Sequence, residues 1–389
     1  MYADILQYLF IFLLITPWFL YPVIVTLLAL VKLQLTPKVK DIENPSPQLR
    51  ISIIIAAYNE EKNIEARIKN ILDCEYDKNL IEIIVGSDGS NDNTVAITKK
   101  LAKKEKVIKL VESKQQIGKA FIHNETVLHA TGDILLFTDA DTEFDLNFLR
   151  NLALRFESNP KIGYISGRLI FRNRSSTHVT QNSDIFWRFE QWLRYAETVL
   201  GIYMAGTGAC SAVRSTLFVP LSATGDTDSI TPMDVVSQGY KCFHEPNAIA
   251  YDEYPETEKR EFNARVRISS KNILARVQRW NLWVMFKRPI YAITLIAHKY
   301  LRWFFPLIFI LLTIFAIAVQ TKLLLSYLVI GGGFLFFFLA ILHLITMKKV
   351  SLLSPFYNFV MVNIAFLIGI YRVITGNVSG VFTPTNKID

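Results

Sequence analysis

The sequence predicts an α/β domain that is built on a mainly parallel sheet and flanked by transmembrane helices. Hydrophobic residues make up 51% of the 389 residues, and they concentrate at the two ends of the chain. Between these ends, short β-branched runs alternate with polar stretches that favour helices. Strands that alternate with helices are typical of a parallel sheet with right-handed crossovers.

The two apolar ends predict four membrane spans. Residues 5–31 contain no charged residue, whereas a spanning helix needs only ~20 apolar residues. Three further apolar runs lie towards the C-terminal end, at roughly 303–319, 323–346 and 353–371. One span therefore precedes the polar middle of the chain, and three follow it.

The positive charges beside these runs predict the orientation of the spans. Lys32, Lys38 and Lys40 follow the first run, and Lys348 and Lys349 lie between the last two. Because Lys and Arg favour the cytoplasmic side, the middle of the chain is predicted to be cytoplasmic and both termini external. This arrangement predicts a multi-pass protein of the plasma or inner membrane.

A basic cluster with interleaved aromatic residues precedes the last three spans. It extends over residues 259–288 and contains Trp280, Trp283 and Phe286. Basic and aromatic residues beside a span are typical of a segment at the lipid headgroups, so the bilayer is the expected partner and nucleic acid is not. The stretch 289–301 is too short to span a membrane and is predicted to lie along its surface.

These transitions in composition predict the domain boundaries. The predicted regions are a first span at 1–35, an α/β domain at 48–272, a basic and aromatic interfacial segment at 273–301, three spans at 302–375 and a short tail at 376–389. The three cysteines contain no CxxC pair, so neither a disulfide framework nor a zinc site is predicted.

Four runs in the middle segment are predicted to be strands. They are residues 51–56, 81–86, 107–111 and 133–138, and helical stretches lie between them at 60–72, 92–104 and 118–130. Ligands of parallel α/β sheets bind at the carboxyl ends of the strands. The residues just after each run are therefore the candidate site.

Carboxylates follow three of these runs, in residues 57–61, 87–94 and 139–141. Taken singly, Asp92 also fits a helix cap and Asp88 fits a turn. If the acids gather at one edge of a sheet, their negative charges repel one another unless a cation binds between them. Carboxylate oxygens are suitable ligands for Mg²⁺ or Mn²⁺. Their occurrence at successive strand ends favours a ligand site.

These residues resemble glycosyltransferase family 2, whose nucleotide-diphospho-sugar domains have the Rossmann-like GT-A fold. The resemblance covers about residues 50–270. It rests on Ile55–Glu60, Ser87–Thr94, Gly118–Ala120 and Thr138–Asp141, the last of which matches the DxD motif of the family. The layout with its spans is similar to the membrane synthases of cellulose, hyaluronan and poly-N-acetylglucosamine.

The resemblance implies a role for each matching residue. The residues expected to bind the nucleotide or donor sugar are Ala57, Tyr58, Glu60, Asp88, Lys119 and Asp139. Asp141 is expected to bind a metal ion, Mg²⁺ or Mn²⁺, that bridges the diphosphate.

A later segment resembles the acceptor-side loop of the family. It contains Gly206, Thr207 and Gly208 and closes with Arg214. Small residues in such a loop let the backbone approach a sugar closely. The resemblance therefore implies that these four residues bind the acceptor.

In the family, the catalytic base follows this loop in an acidic motif. Thr231–Met233 and the Gly-Tyr pair after it align Asp228 with the base. Thr227 stands where relatives carry another acid, and Asp226 and Asp234 remain alternatives for the base.

The processive members of the family carry a motif that reads Gln-x-x-Arg-Trp, and only its arginine is kept here. Residues 264–268 read Ala-Arg-Val-Arg-Ile, which places Arg267 at the arginine of the motif. Arg265 and Arg267 are expected to neutralise the diphosphate. The missing tryptophan favours transfer of one or a few sugars over polymerisation.

The resemblance implies a membrane hexosyltransferase with an inverting, metal-dependent mechanism. It would transfer a sugar from a nucleotide-diphospho-sugar, expected to be a UDP-sugar, to a glycan or lipid-linked acceptor in cell-envelope or exopolysaccharide synthesis. Two alternatives stay open, namely a processive synthase that also exports its product and a non-catalytic membrane scaffold subunit. Asp139, Asp141, Asp228 and Arg267 favour an enzyme over a scaffold.

Overall fold

The computed structural model describes residues 2–35, 46–173, 178–254, 257–279, 287–320, 322–346 and 351–378. Lys38, Lys40, Lys348, Lys349 and the aromatic residues at 280, 283 and 286 lie outside these ranges. The orientation that these residues imply stays a prediction.

The described strands form one eight-stranded sheet in the order β3-β2-β1-β4-β7-β6-β8-β5. They are β1 Ile51–Ala57, β2 Ile81–Asp88, β3 Ile108–Ser113, β4 Ile134–Asp139, β5 Glu143–Phe144, β6 Ile162–Phe171, β7 Ser211–Arg214 and β8 Lys241–Asp252. β1 to β4 pair in parallel, whereas β7 is antiparallel to both β4 and β6. The mixed α/β architecture confirms the predicted fold class.

The helices of the central domain cover the sheet on both faces. They are α3 Ile64–Leu72, α4 Thr94–Ala102, α5 Lys119–Val127, α6 Phe148–Ser158, α7 His178–Leu200, α8 Thr231–Ser237 and α9 Glu258–Gln278. The remaining helices precede and follow this domain, and they are α1 Tyr2–Ile15, α2 Tyr21–Leu35, α10 Pro289–Leu295, α11 Leu301–Ala318, α12 Leu324–Ile345 and α13 Ser354–Ile374.

The central strands are buried on both faces, which explains their continuous apolar runs in the sequence. Ile53 and Ile55 of β1 pack into a core that contains residues of α3 and α6. Ile54 points to the opposite face, where it packs with Phe137 of β4 and Val235 of α8. A sheet buried in this way leaves its polar chemistry to the strand ends.

Within the described residues, four helical stretches are long and apolar enough to cross a membrane, which is the number predicted. They are Tyr2–Leu35, Pro289–Ala318, Leu324–Ile345 and Ser354–Ile374. Large apolar side chains on them are exposed, among them Phe12, Leu27 and Phe338, as expected for residues that face lipid.

Residues 289–301 do not form a separate helix, and their position along the membrane surface stays a prediction. α10 continues through a short π-helical segment into α11 and gives one 30-residue helical stretch, Pro289–Ala318. His298 and Lys299 interrupt the apolar run in the sequence, but both side chains contact Glu190 of α7. Because charged groups inside a span are stabilised by such pairing, they do not end the helix.

α9 connects the central domain to the last span. Ser269 of α9 donates a hydrogen bond to the backbone oxygen of Ala365 in α13 at 3.4 Å. A Cβ atom at Gly369 of α13 would lie 3.2 Å from the backbone nitrogen of Ser270. The absence of a side chain at Gly369 therefore allows the two helices to approach closely.

Candidate active site

The carboxyl ends of β2, β1 and β4 meet at one edge of the sheet, as predicted for the motif-bearing strands. Asp139 at the end of β4 lies opposite Ala56, and Ser87 of β2 lies opposite Ala57. Asp88 and Asp139 therefore flank β1, about 10 Å apart for two strand spacings. Asp88 of the Ser87–Thr94 motif and Asp139 of the DxD motif therefore lie at the same edge of the sheet.

The loops after β1 and β2 are joined by hydrogen bonds. Asn59 has a φ of 55°, and its side-chain oxygen accepts from the backbone nitrogen of Asn91 at 2.8 Å. Asp92 accepts from the backbone nitrogen of Thr94 at 3.0 Å, so it does cap α4, and it also accepts from Glu61 at 3.0 Å in the other loop. This pairing gives the first two motifs a fixed geometry.

The predicted nucleotide-binding residues of β1 lie on this paired turn. Ala57 is buried at the strand end, while Tyr58 and Glu60 are half-buried beyond it. Glu60 accepts a hydrogen bond from the Asn63 side chain at 2.7 Å, which orients its carboxylate. Tyr58 and Glu60 follow the end of β1, beside the end of β4 that carries Asp139.

The carboxylate of Asp88 holds the segment that precedes α5. It accepts hydrogen bonds from the backbone nitrogens of Ile117 at 2.6 Å and Gly118 at 3.0 Å. The next residue, Gly89, has a φ of +71°, and a Cβ there would lie 2.6 Å from the backbone of Gln116. Asp88 thus fixes the position from which Lys119 begins α5.

Lys119 contacts Asp139 directly, which joins the Gly-Lys element to the DxD motif. Burial alone lowers the pKa of Lys119, but the Asp139 carboxylate outweighs burial and raises it. Burial alone raises the pKa of Asp139, but Lys119 outweighs it and holds that pKa below the ordinary value. The two groups form a charged pair at the centre of the edge.

The loop that carries Asp226 and Asp228 lies beside this pair. Asp226 accepts a hydrogen bond from the backbone nitrogen of Ser229 at 3.0 Å. Burial, together with the neighbouring Asp226, raises the pKa of Asp228 well above its ordinary value, and the Lys119 charge opposes that rise. A carboxyl group with a raised pKa beside a charged pair is a suitable general base.

The predicted acceptor-side loop lies against Asp228. A Cβ at Gly206 would lie 2.8 Å from the Cα of Asp228, and a Cβ at Gly208 would lie 3.9 Å from its Cγ. Thr207 between them is buried. The structure therefore brings these three residues and Asp228 together.

Thr227 stands at a position where relatives carry an acid, and its hydrogen bonds fix the loop that contains Asp226 and Asp228. Its backbone oxygen accepts from Tyr164 at 3.0 Å, and its hydroxyl accepts from Ser211 at 3.1 Å. The side chain is only 2% exposed, so a hydroxyl with a partner suits this position better than an unpaired carboxylate.

Asp234, an alternative base in the sequence, has a different partner. Both of its oxygens accept from Arg279, each at 3.0 Å. Burial raises the pKa of Asp234, and the Arg279 charge opposes this rise. The bidentate pair holds α8 against the end of α9 and gives Asp234 a structural contact that Asp228 lacks.

The two arginines of the α9 motif have different surroundings. Burial lowers the pKa of Arg267, and the charge of Asp139 opposes this effect. Arg265 donates to Glu261 at 2.8 Å and lies over the Phe186 ring. Residues two apart on a helix point to nearly opposite sides, so the expectation that Arg265 acts with Arg267 is not supported by these contacts.

Lys271 is a cation of the site that sequence reasoning missed. It lies one helical turn after Arg267, on the same face of α9. Burial and the charges of Arg267 and Lys119 lower its pKa, while Asp226 and Asp228 oppose this effect. The four-residue spacing of two basic residues on one helix was the available signal.

The expectation that Arg214 binds the acceptor is wrong. Arg214 pairs with Ile134 at the amino end of β4, about 16 Å along the strand from Asp139. Its guanidinium donates to the backbone oxygens of Ile162 and Phe156, each at 2.8 Å. The strand β7 carries the chain away from the edge, so Arg214 stabilises the opposite end of the sheet.

Arg67 is a second charged residue that the sequence analysis did not select. It is 2% exposed on α3 and donates to Thr138, just before Asp139, at 2.8 Å. Burial lowers its pKa to about 9, and the acids at the edge oppose this. Arg67 occupies an apolar position in the helix pattern with Ile64 and Ile68, and that irregularity was the signal.

No group of three or more His, Cys, Asp or Glu side chains that could hold a metal ion occurs in the described part of the chain. Asp141 is exposed two residues beyond Asp139. Mg²⁺ and Mn²⁺ are hard cations, and Mg²⁺ is often held by one or two carboxylates, with phosphate and water completing the shell. This donor set fits a cation that binds together with a diphosphate.

The chain is similar to known proteins over its central domain. Residues 52–218 match the family described as glycosyl transferase family 2. The poly-beta-1,6-N-acetyl-D-glucosamine synthase of Staphylococcus aureus (strain COL) is 29% identical over 222 residues, which cover 56% of this chain and 53% of that protein. The protein of the same name from Staphylococcus epidermidis is 31% identical over 231 residues, with the same coverage. The chain thus spans about half the length of the curated relatives it matches.

A solved structure extends the similarity to the whole chain. The mannosyltransferase PcManGT from Pyrobaculum calidifontis, in complex with GDP-Man and Mn2+, aligns with a TM-score of 0.67 and 22% sequence identity. The alignment covers 95% of this chain and 99% of that chain. At this identity the likeness establishes the fold. Residues 52–218 therefore match the glycosyl transferase family 2 model, and the chain shares the fold of the solved mannosyltransferase, with apolar helices on both sides of the matched residues.

Proposed function

We propose that this chain transfers a sugar from a nucleotide-diphospho-sugar to an acceptor at the cytoplasmic face of a membrane. The observation that carries the proposal is the convergence of the Lys119–Asp139 pair and Asp228 at one sheet edge. The cations Lys119, Arg267 and Lys271 suit a departing diphosphate, and a buried acid beside them suits an incoming hydroxyl. The four spans support a position of the domain against the bilayer.

The donor side uses residues of three elements. Tyr58 and Glu60 border the nucleotide, and Lys119, Arg267 and Lys271 face the diphosphate. Two of these cations come from α9, which is packed against the last span. The donor site is therefore completed by the helix that joins the domain to the membrane.

A divalent cation, Mg²⁺ or Mn²⁺, fits beside Asp139 and Asp141. When bound, it would neutralise charge on the diphosphate as a Lewis acid. The exposed position of Asp141 and the small number of nearby acids fit a cation whose other ligands are phosphate oxygens.

Asp228 acts as the general base in a single displacement. Its carboxylate accepts the proton of the acceptor hydroxyl while that oxygen bonds to the anomeric carbon, and the bond to the nucleoside diphosphate breaks on the opposite face. The configuration at the anomeric carbon is inverted. Lys119, Arg267 and Lys271 stabilise the negative charge that collects on the leaving group.

The names of the relatives support a glycan of the cell envelope or an exopolysaccharide as the product. Both curated relatives described above are named as synthases of a polymer of N-acetylglucosamine. UDP-N-acetylglucosamine is therefore the first donor to test. The absence of the family tryptophan after Arg267 favours short products.

Release of nucleoside diphosphate by the purified full-length protein in detergent tests this function. The protein is offered UDP- and GDP-sugars with Mn²⁺ or Mg²⁺, in parallel with EDTA. We expect metal-dependent release from one class of donor, together with an inverted linkage in the product. A complete panel without release, in the presence of membrane lipids and either metal, would remove the proposal.

A further inference from the structure

A buried group of charged side chains joins α7 to the Pro289–Ala318 span. Its centre is Glu190, which is 2% exposed. Glu190 contacts Arg194 at 3.1 Å, His298 at 3.0 Å, Lys299 at 2.6 Å and Arg302 at 2.9 Å. Burial alone would raise the pKa of Glu190, but the surrounding cations hold it well below the ordinary value.

A second acid extends this group to the first span. Glu197 lies two turns further along α7 and accepts from Tyr21 of α2 at 2.7 Å. The same oxygen of Glu197 lies 2.6 Å from Nδ1 of His298, whose Nε2 faces Glu190. His298 thus bridges both acids, and α7 is held by two different spans.

Arg194 connects this group to the active site. Its Nε donates to Glu190, and its Nη1 donates to the hydroxyl of Thr207 at 2.7 Å. Thr207 lies between Gly206 and Gly208, which pack against Asp228. One hydrogen-bonded path therefore leads from the membrane span to the loop that touches the base.

The hydrogen bonds of this path favour a role in which Arg194 positions Thr207 over a role in which it only holds the helices together. The planar guanidinium of Arg194 donates in fixed directions, so it sets the position of Thr207 relative to α7. Apolar side chains would hold two helices together without fixing such a direction, and burying charges is costly unless their geometry is good. Arg194 is 5% exposed and Thr207 is 7% exposed, so water does not replace this contact freely.

We propose that Arg194 is a positioning residue that holds the Gly206–Gly208 loop against Asp228, and that the Pro289–Ala318 span sets its position through Glu190. The proposal rests on the proposed function for its kinetic consequence. In the wild-type protein, the packing of the span against α7 then also fixes the position of the Gly206–Gly208 loop. The acceptor side would loosen when any link of this path is cut.

The sharpest test compares Thr207→Val with Thr207→Ser in the full-length protein. Valine keeps the shape of threonine and removes the oxygen that accepts from Arg194, whereas serine keeps that oxygen. We expect Thr207→Val to lower kcat for nucleoside diphosphate release by about 10-fold to 100-fold, because small misplacements of reacting groups are costly. Thr207→Ser should retain clearly more of kcat than Thr207→Val because it keeps the accepting oxygen, and the Kd for UDP or GDP with Mn²⁺ should not change in either variant.

Hydrogen exchange of the backbone amides in residues 206–210 tests the same path without any assay of activity. Thr207→Val and Glu190→Gln should both speed exchange in this loop, whereas Thr207→Ser should not. The matched control is Glu65→Gln, which removes the acid of an exposed i,i+4 ion pair with Lys69 on α3. That control should leave both the loop exchange and kcat at wild-type values.

Each outcome decides a separate part of the inference. Wild-type exchange and kcat in Thr207→Val would overturn the role of Arg194. Faster loop exchange in Thr207→Val with wild-type exchange in Glu190→Gln would overturn the role of the span. Absence of donor turnover in the wild-type protein would remove the proposed function, while the exchange comparison would still decide the inference.

Discussion

The two halves of the central sheet build their parts of the site in different ways. On the donor side, the loops after β1 and β2 are short and are linked by hydrogen bonds between side chains and the backbone, such as the one from the backbone nitrogen of Asn91 to the side-chain oxygen of Asn59. On the acceptor side, Gly206 packs against Asp228, and Tyr164 donates to the backbone oxygen of the neighbouring Thr227. Arg194 of α7, from another part of the chain, donates to Thr207. The turns after β1 and β2 are therefore set locally, whereas the acceptor side and the α9 cations of the donor side depend on long-range packing that includes the spans.

The largest expected effect distinguishes the three acids of the acceptor side. Asp228→Asn should lower kcat by about 10²–10⁴-fold because the general base is lost. Asp234→Asn removes charge from the pair with Arg279 and should mainly lower the unfolding temperature. The measurement is nucleoside diphosphate release together with thermal unfolding. Normal transfer by Asp228→Asn with an inactive Asp234→Asn or Asp226→Asn would reassign the base.

A second comparison separates the two arginines of α9. Arg267→Gln should reduce kcat by about 10²-fold, as expected for loss of one charged group that stabilises the leaving diphosphate. Arg265→Gln removes a partly exposed ion pair with Glu261 and should change kcat by less than about twofold. Equal losses in steady-state kinetics would show that both arginines reach the donor.

Arg214 tests the corrected assignment through stability. Arg214→Gln leaves the backbone oxygens of Ile162 and Phe156 without their partner and should lower the free energy of unfolding by about 1–3 kcal/mol. The KM for the acceptor should not change. A raised acceptor KM with unchanged stability would restore the role that the sequence motif implied.

The smallest expected effect is a shift in pH dependence. Asp226 raises the pKa of Asp228, so Asp228 holds its proton to higher pH and the active carboxylate forms as pH rises through that pKa. Asp226→Asn removes the charge and should move the acidic limb of the kcat/KM profile to lower pH. In this variant, the side-chain amide oxygen can still accept the hydrogen bond from the backbone nitrogen of Ser229. A limb that stays in place would show that another group controls it.

The sequence predicted the strands and turns that carry the donor-side motifs because their signals are local. The β-branched run before Tyr58 and the motif around Asp88 each specify a strand and the turn that follows it. Arg67 and Lys271 were missed because their meaning depends on what packs against their helices. Arg214 was misassigned because an antiparallel strand carries it to the far end of the sheet, which no motif records.

The membrane side shows a similar limit. The spans were found because an apolar run of sufficient length needs no knowledge of neighbours. The stretch that contains His298 and Lys299 was read as interfacial because two polar residues interrupted its apolar pattern. Their partners, Glu190 and Glu197, lie roughly a hundred positions earlier in the chain, so only the folded structure shows that these charges are paired.

The close approach of α9 to α13 has a consequence for how the bilayer affects donor binding. Gly369 has a hydrogen atom where any other residue would have a Cβ atom, and the side chain of Ser269 occupies that space. One methyl group added there would push α9 outward and draw Arg267 and Lys271 back from the edge that we propose binds the diphosphate. The narrowest point of this apolar helix therefore sets how far two cations of α9 reach towards that edge.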